Sequence, residues 1–258
     1  MKLSISNIAW SHDHDTEMYE FLQNHKFSGL EIAPTRIFPD SPYTNLTQAT
    51  EYAQMLKAKF DLTISSMQSI WYGRNENIFG TDRDRNILIN YTRQAVNFAE
   101  AINCRNMVFG CPQNRKIPKR EYWPIAIHFF REIGALAAEH GTAIAIEPIP
   151  SYYDTNFINT TEEAFSICRE INSQGVKVNV DLGTSLFFGE GLNFINRNID
   201  LVNHIHISEP RLAIIQKRDI HRHLKVLDYS KWFSIEMKNI RSIKAVKETI
   251  KYFEEILS

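Results

Sequence analysis

The chain contains the stretch Ala143-Ile144-Ala145-Ile146-Glu147, a short apolar run that ends on an acidic residue. Three later runs share this pattern, because each ends on or carries a residue that can bind a divalent metal. They are Val176-Lys177-Val178-Asn179-Val180-Asp181, His204-Ile205-His206-Ile207 and Trp232-Phe233-Ser234-Ile235-Glu236. The C-terminal ends of the strands in a parallel barrel lie on one face, so these polar residues are predicted to converge there.

Strand-like and helix-like segments alternate along the whole chain, with no linker or low-complexity stretch between them. This alternation is typical of a parallel sheet with crossover helices. The predicted strands are Lys2–Ala9, Gly29–Ala33, Leu62–Gln68, Asn106–Gly110, Thr142–Glu147, Val176–Asp181, Val202–Ile207 and Lys231–Glu236. Eight strands close a barrel, and a chain of 258 residues has the usual length. We therefore predict an α/β fold, a single (β/α)8 TIM barrel domain over residues 1–258.

The helices between the strands can be read from apolar spacing and from their end signals. They are predicted at Asp15–His25, Thr47–Phe60, Asp82–Ala101, Arg120–His140, Thr161–Asn172 and Ser242–Leu257, with shorter ones at Asn193–Asn198 and Asp219–Leu227. Asp15 is predicted to cap the first helix, and Gly141 to stop the fourth. The sequence Thr160-Thr161-Glu162-Glu163 is a start signal for the fifth.

Side chains in a barrel strand alternate between the interior and the helix layer. If Glu236 points inward, Ser234 does too. By the same rule His204 shares the inward side with His206, two residues deeper, where it is expected beneath the ion and unligated. Glu147 shares its side with the two small alanines of its run. The alternation can place every candidate ligand on the inward side of its strand, which a chance set of residues need not do.

The four polar residues are Glu147, Asp181, His206 and Glu236. Taken singly, a strand-end carboxylate could cap a helix, and an inward histidine could be a satisfied core residue. As an ordered set on successive strands they favour a metal site, because three carboxylates in one barrel mouth would repel one another without a cation. Three carboxylates and one imidazole suit Mn²⁺, Mg²⁺ or Co²⁺, with Zn²⁺ also possible. A metal-dependent enzyme is indicated.

Composition excludes several other classes of protein. The chain carries 29 basic and 30 acidic residues, a formal net charge of −1, which argues against general nucleic-acid binding. Its three cysteines form no CxxC pair, as is typical of a reducing compartment. The N-terminal residues are too polar for a signal peptide, and no apolar run approaches the length that spans a bilayer. We expect a cytoplasmic protein with no membrane partner.

Several segments together resemble one known family over nearly the full length of the chain. They are residues 29–35 (Gly-Leu-Glu-Ile-Ala-Pro-Thr), 65–69 (Ser-Ser-Met-Gln-Ser), 108–112 (Val-Phe-Gly-Cys-Pro), 146–148 (Ile-Glu-Pro), 180–183 (Val-Asp-Leu-Gly), 204–209 (His-Ile-His-Ile-Ser-Glu) and 234–237 (Ser-Ile-Glu-Met). No segment is diagnostic alone, whereas their order and spacing are. The chain resembles the xylose isomerase-like barrels, the group of sugar isomerases and epimerases that also includes the AP endonuclease family 2 (endonuclease IV) branch.

The resemblance implies that the four residues hold one divalent ion, and that Glu147 and Glu236 also move a proton on and off carbon. The expected function is isomerisation or epimerisation of a sugar, sugar phosphate or related polyhydroxy carbonyl compound through a metal-bound enediolate. One alternative in the same family is dehydration of a keto-inositol or dehydroshikimate-like substrate. Another is a barrel that binds metal and a ligand without catalysis. The expected partner is a small sugar-like molecule, and a homo-oligomer is left open.

The chain departs from the family pattern at several positions. Thr184 stands where the epimerases and endonucleases often carry a histidine, and Arg211 could replace a substrate-binding arginine although its spacing is one residue short. The DNA-repair branch needs further histidines on strands three and four, where this chain has none, which argues against a three-metal repair enzyme. Asp219 and His221 resemble that branch's Asp-x-His pair, but they also fit a helix start and are not expected to ligate the ion.

Residues that follow the first strands could shape the pocket around the ion. Trp10, His12 and Gln68 are predicted to contact substrate together with Arg211, although aromatic residues at a barrel mouth as often cover the core. Glu31, Trp71 and Tyr72 lie in equivalent places. Arg36, Arg115 and Lys116 could bind a phosphate or carboxylate, but we interpret them as solvated loop charges.

Overall fold

Eight parallel strands close into a barrel in which every strand pairs with its neighbours in sequence. The structure is a computed structural model and describes residues 1–257. The strands are β1 (Lys2–Ser6), β2 (Phe27–Ile32), β3 (Thr63–Met67), β4 (Met107–Phe109), β5 (Ile144–Ile146), β6 (Val176–Asp181), β7 (Val202–Ile207) and β8 (Trp232–Ile235). The predicted (β/α)8 TIM barrel is confirmed. Within the described residues, no helix is both long enough and apolar enough to cross a membrane.

Ten α-helices surround the strands within residues 1–257. They are α1 (Asp15–Gln23), α2 (Pro34–Ile37), α3 (Leu46–Phe60), α4 (Asp82–Ala101), α5 (Trp123–Glu139), α6 (Thr161–Ile171), α7 (Leu182–Phe188), α8 (Leu192–Asn196), α9 (Asp219–Arg222) and α10 (Ile243–Leu257). Helices α2 and α7 were not predicted. Helix α7 follows β6 without a loop, since Asp181 both ends the strand and caps the helix by accepting a hydrogen bond from the Thr184 amide.

The predicted helix ends are confirmed in two cases and wrong in one. Thr160 and Glu163 form the reciprocal capping box at the start of α6, and Gly141 follows α5 in the left-handed conformation with φ of 68°. Asp15 does not cap α1 but is its first helical residue. Its carboxylate accepts a hydrogen bond from the Trp10 indole at 2.8 Å and pairs with Arg36 at 2.6 Å. The side chain therefore ties the end of β1 to the end of β2.

The barrel interior is polar for much of its depth, while the apolar core lies between the strands and the helices. Ser4 and Ser65 meet across the interior with hydroxyl oxygens 2.6 Å apart, and Ser234 lies 3.5 Å from Ser4. All three are buried. The inward direction predicted for Ser234 is confirmed, and with it the alternation of inward and outward side chains along β8. Alternation along each strand therefore decides which side chains reach the barrel mouth.

Arg115, which was interpreted as a solvated loop charge, is fully buried. Its guanidinium donates to the backbone carbonyl oxygens of Phe157 at 2.9 Å, Gly110 at 3.0 Å and Glu147 at 2.8 Å. A buried cation needs hydrogen-bond acceptors, and here carbonyl groups supply them. The solvated interpretation is therefore wrong. Arg115 instead holds the loops after β4 and β5 together, directly behind the backbone of Glu147.

Two glycines let α5 cross very close to the start of β6. A Cβ atom built on Gly175 would overlap the carbonyl oxygen of Gly134 and lie 2.9 Å from the amide nitrogen of Ala138. The backbone of Gly175 also accepts a hydrogen bond from the Ile144 amide at 2.8 Å. The helix and strand can approach this closely only because neither residue carries a side chain at the contact.

We predict that Gly175→Ala destabilises the fold by about 1–3 kcal/mol or more, because the added methyl group would have to displace α5 backbone. Urea denaturation followed by circular dichroism measures this change. Gly191→Ala is the matched control, since nothing lies within 4 Å of its added Cβ, and its cost should stay under about 1 kcal/mol. Equal losses in both variants would show that the close crossing is not the reason for Gly175.

Candidate metal centre

Four side chains from β5 to β8 come together at the C-terminal mouth of the barrel. They are Glu147, Asp181, His206 and Glu236. One ligand atom from each lies within 4.8 Å of every other, a group that could hold a metal ion. His206 is fully buried, and the three carboxylates are only 7–9% exposed. The arrangement follows from the strand ends, because each of these residues ends, lies near the end of, or directly follows its strand.

His206 occupies the centre of this cluster and uses both ring nitrogens. Its Nδ1 lies 2.7 Å from Glu147 Oε1 and 3.2 Å from Glu236 Oε2. Its Nε2 lies 2.9 Å from Glu31 Oε2, on the interior side of the ring. Glu31 therefore fixes the imidazole from below and directs Nδ1 toward the two carboxylates at the mouth.

Asp181 is held by three groups, two from Thr184 on α7 and one from Ser208 after β7. Its Oδ1 accepts a hydrogen bond from the Thr184 amide at 2.6 Å, and the Thr184 hydroxyl lies 2.8 Å from the same oxygen. The Ser208 hydroxyl donates to Oδ2. Thr184, which stands where the resemblance led us to expect a histidine, thus orients a carboxylate of the cluster. It does not line the cavity above it.

The charges of the cluster perturb one another because all are buried. Burial and the neighbouring Glu147 raise the pKa of Asp181 to about 6. Burial likewise raises the pKa of Glu147 and of Glu236. Burial would lower the pKa of His206, but the facing carboxylates Glu236, Glu31 and Glu147 raise it well above its ordinary value. The site thus holds more negative than positive charge among its own side chains.

This donor set fits a divalent metal ion. Burial raises these carboxylate pKa values, and the neighbouring Glu147 adds to the shift of Asp181; a cation among the oxygens would stabilise the ionised forms. Nδ1 of His206 could serve as the nitrogen ligand while Nε2 donates its proton to Glu31, the usual arrangement for a metal-binding histidine.

A second group of possible ligands lies deeper in the barrel and consists of Glu31, His204 and His206. His204 Nε2 is 3.2 Å from Glu31 Oε2, and burial lowers the pKa of His204 so that its ring stays neutral. His204 and Glu31 are fully buried and do not line the cavity. This group supports His206 from below and offers no opening toward a substrate.

A cavity of about 260 Å³ opens above the cluster. Glu147, Asp181 and Glu236 line its floor, and its walls include Gln68, Tyr153 and Cys111. Burial raises the pKa of the Cys111 thiol to about 12, so this cysteine is a neutral wall residue. The carboxylates of the cluster therefore face a space that can admit a small molecule.

The predicted substrate-binding residues occupy different places. Gln68 lines the cavity, where its amide oxygen accepts a hydrogen bond from Ser6 at 2.7 Å. Trp10 is buried against Asp15, the His12 side chain is 76% exposed, and the Arg211 guanidinium lies over the Tyr152 ring at 4.5 Å. Trp10, His12 and Arg211 are not among the residues that line the cavity. Substrate contact by all four stays a prediction.

Asp219 and His221 lie outside the cluster, as expected. The Asp219 side chain is 86% exposed. His221 is buried among the aromatic residues of α10, with its Nδ1 3.3 Å from the Tyr252 hydroxyl. His221 therefore packs α9 against α10, while Asp219 lies at the surface.

Glu31 and Asn179 contact the cluster directly, although the sequence predicted for Glu31 only a part in shaping the pocket and for Asn179 no role. Asn179 Nδ2 donates to Glu147 Oε1 at 2.7 Å. Strand alternation could have found it, because Asn179 precedes Asp181 by two residues and so shares its inward face. A glutamate between apolar residues of a predicted strand, as at Glu31, is a similar signal, because such a residue needs a partner when it is buried.

Comparison with known proteins agrees with this architecture. Among solved structures, a D-psicose 3-epimerase with D-tagatose from Clostridium cellulolyticum H10 superposes with a TM-score of 0.76 at 17% identity, covering 97% of this chain and 89% of that one. A probable 3-DHS dehydratase from Bacillus anthracis gives a TM-score of 0.72 at 16% identity, covering 100% and 98%. At these identities the likeness shows the fold alone.

Sequence comparison extends this result. An uncharacterized protein of Methanocaldococcus jannaschii is 27% identical over 143 residues, 49% of this chain and 47% of its own length. The chain thus matches about half the length of that curated relative. The model of the family described as xylose isomerase-like TIM barrel matches residues 19–256. The chain therefore belongs to the xylose isomerase-like TIM barrel family.

Proposed function

We propose that the protein is a metal-dependent isomerase or epimerase of a sugar or related polyhydroxy carbonyl compound. Glu147, Asp181, His206 and Glu236 would hold one divalent ion, with Mn²⁺, Mg²⁺ or Co²⁺ preferred. One observation carries the proposal. Two buried carboxylates, Glu147 and Glu236, face the same small cavity and contact the same imidazole nitrogen.

The two carboxylates approach the cavity from β5 and β8, which are separated by β6 and β7. They can therefore reach different sides of a planar substrate. One would accept the proton from the carbon beside a carbonyl group, and the other would return a proton to the opposite face or to the adjacent carbon.

Neighbouring residues hold the first of these carboxylates in place. Asn179 donates to Oε1 of Glu147, while Arg115 donates to its backbone carbonyl. A Cβ atom at Gly110 would lie 2.8 Å from Oε2, so the absence of a side chain there leaves that oxygen free to face the cavity. A bound divalent ion would polarise the substrate carbonyl and stabilise the negative charge that develops.

Dehydration starts from the same proton abstraction and is the second candidate. The likeness in fold to a probable 3-DHS dehydratase keeps it open. A barrel that binds metal and a small ligand without turnover is the third, because Thr184 orients Asp181 and lines no part of the cavity. Deuterium exchange and product analysis distinguish the three.

We predict that Asp181→Asn weakens Mn²⁺ binding by more than the roughly 10–100-fold that the loss of an outer-shell partner costs. The substitution removes one negative charge and keeps the shape of the side chain. Isothermal titration calorimetry measures the affinity. Asp219→Asn is the matched control, because that carboxylate is exposed and outside the cluster. Equal affinities in the two variants would contradict the assignment of the site.

We further predict that the rise in Tm caused by Mn²⁺ grows between about pH 5 and about pH 8. The pKa of Asp181 is raised to about 6 in the folded chain, so ionising this group as pH rises removes stability from the metal-free protein. The ion binds the ionised form and restores that stability. Thermal unfolding with and without Mn²⁺ tests this, and a gain in Tm that shrinks with rising pH would contradict it.

For the reaction, we predict that the Mn²⁺-loaded protein in D₂O places deuterium on a carbon next to the carbonyl group of a ketose substrate. Glu236→Gln should slow this exchange by about 10²–10⁴-fold while leaving some metal binding, because the amide cannot accept the proton. Proton NMR measures the exchange. Glu248→Gln, on the exposed surface of α10, is the control and should exchange like the unaltered protein.

The products separate the candidate functions. Deuterium uptake without loss of water indicates isomerisation or epimerisation, whereas an unsaturated product indicates dehydration. If Mn²⁺ binds but none of the polyhydroxy carbonyl compounds tested exchanges, both catalytic proposals are wrong and the binding protein remains.

A further inference from the structure

A second cavity, of about 580 Å³, lies at the opposite end of the barrel, where the strands begin. Its charged lining residues are all basic, namely Lys2, Arg105, Lys177 and Lys231. No aspartate or glutamate is found among its lining residues. In a chain whose formal net charge is −1, this is a marked local excess of positive charge.

Strand alternation explains why two of these cations point toward the barrel interior. Lys177 precedes Asn179 by two residues on β6, and Asn179 reaches inward to Glu147. Lys2 precedes Ser4 by two residues on β1, and Ser4 reaches inward to Ser65. Residues two apart on a strand share a face. The inward rows of β1 and β6 therefore begin with lysines at this end of the barrel, and the row of β6 ends with the carboxylate of Asp181 at the other.

Lys177, on β6, and Lys231, directly before β8, contact neutral acceptors. Lys231 Nζ donates to the Val202 carbonyl at 3.2 Å and to Asn203 Oδ1 at 2.9 Å. Lys177 Nζ donates to the Asp200 carbonyl oxygen at 3.4 Å. These contacts orient the ammonium groups without cancelling their charge. Burial and the nearby Lys177 lower the pKa of Lys231, as expected for cations held close together.

Neutral polar groups complete the lining. The Thr142 side chain is 6% exposed, and within residues 1–257 its hydroxyl has no hydrogen-bond partner. The side chains of Asn103 and Gln174 also line the cavity. Trp232 closes one side, with the Lys2 ammonium 5.5 Å from the centre of its ring. A buried hydroxyl without a partner and a group of cations both favour a ligand that carries many hydrogen-bond acceptors.

Offsetting the helix dipoles is a simpler role for cations at this end, because the carboxyl ends of barrel helices lie here. That role accounts for basic residues in the last turn of a helix, such as Lys57 and Lys59 of α3. It does not account for inward-facing lysines on strands. The cavity is also a concave space at the strand starts, a shape that suits a small molecule better than a nucleic-acid backbone.

We propose that this cavity binds a small organic diphosphate, with the phosphate groups on Lys177, Lys231 and Arg105 and the organic part against Trp232. The site is separate from the carboxylate cluster and does not depend on the function proposed for it. Phosphate oxygens match the donors present, because ammonium and guanidinium groups form strong charge-assisted hydrogen bonds with them.

Isothermal titration calorimetry with inorganic pyrophosphate, on the full chain prepared with a chelator, tests the proposal. We expect saturable binding of one equivalent per chain that weakens as potassium chloride is raised. The double variant Lys177→Met and Lys231→Met should bind at least about tenfold more weakly. Methionine keeps the apolar stem of each side chain, and circular dichroism confirms that the variant folds.

Three controls make the outcome decisive. The double variant Lys59→Met and Lys244→Met removes the same charge from helices α3 and α10 and should bind like the unaltered protein. Lys177→Arg with Lys231→Arg keeps the charge and should retain binding. Asp181→Asn should also retain it. Absence of saturable binding, equal weakening in the helix double variant, or loss of binding in Asp181→Asn would each overturn the proposal.

Discussion

Three buried carboxylates share a few ångströms of space with one imidazole at the barrel mouth, and much of the surrounding structure serves to hold them there. Their ligand atoms lie within 4.8 Å of one another. Burying like charges together costs free energy unless a cation or hydrogen bonds compensate. The protein supplies hydrogen bonds to Asp181 from Thr184 and Ser208 and to Glu147 from Asn179. The remaining deficit of positive charge is what makes a divalent ion fit this site.

The period of two along the strands connects this site to the rest of the barrel. Several inward rows end in acids or histidines at the barrel mouth, and the rows of β1 and β6 begin with lysines at the strand starts. On β6 the row is Lys177, Asn179, Asp181, and on β8 it is Trp232, Ser234, Glu236. A polar interior of this kind is costly unless its members are paired, and the pairing of Ser4 with Ser65 shows how this is met. The alternation of side chains along the strands thus helps to place basic residues at one mouth of the barrel and acidic residues at the other.

Most of the fold could be predicted because strands and long helices carry local signals. Helix Asp82–Ala101 and strand Val176–Asp181 have the predicted bounds. Gathering the four cluster residues required only the strand ends and the geometry of a parallel barrel. Their support was harder to predict, because Glu31 and Arg115 find their partners through contacts distant in sequence. No local pattern distinguishes a buried arginine bound to carbonyl groups from a solvated one.

The residues around the cavity were the least predictable part of the site. Trp10 follows its predicted strand as a substrate-stacking aromatic would. Its indole donates a hydrogen bond to Asp15, and its side chain lies in the core. Tyr153 lines the cavity although nothing in its sequence context marks it. Loop conformation decides such cases, and it depends on hydrogen bonds that sequence spacing does not encode. Strand ends are therefore predictable where the loops above them are not.

The proposed metal site is defined by the side of His206 that binds the ion. Anomalous diffraction at the manganese edge, from crystals grown with Mn²⁺, measures this directly. We expect one peak bounded by Glu147, Asp181, Glu236 and Nδ1 of His206, with Glu31 remaining on Nε2. A peak among Glu31, His204 and Nε2, the deeper group of ligands, would contradict the account, as would no peak in the barrel.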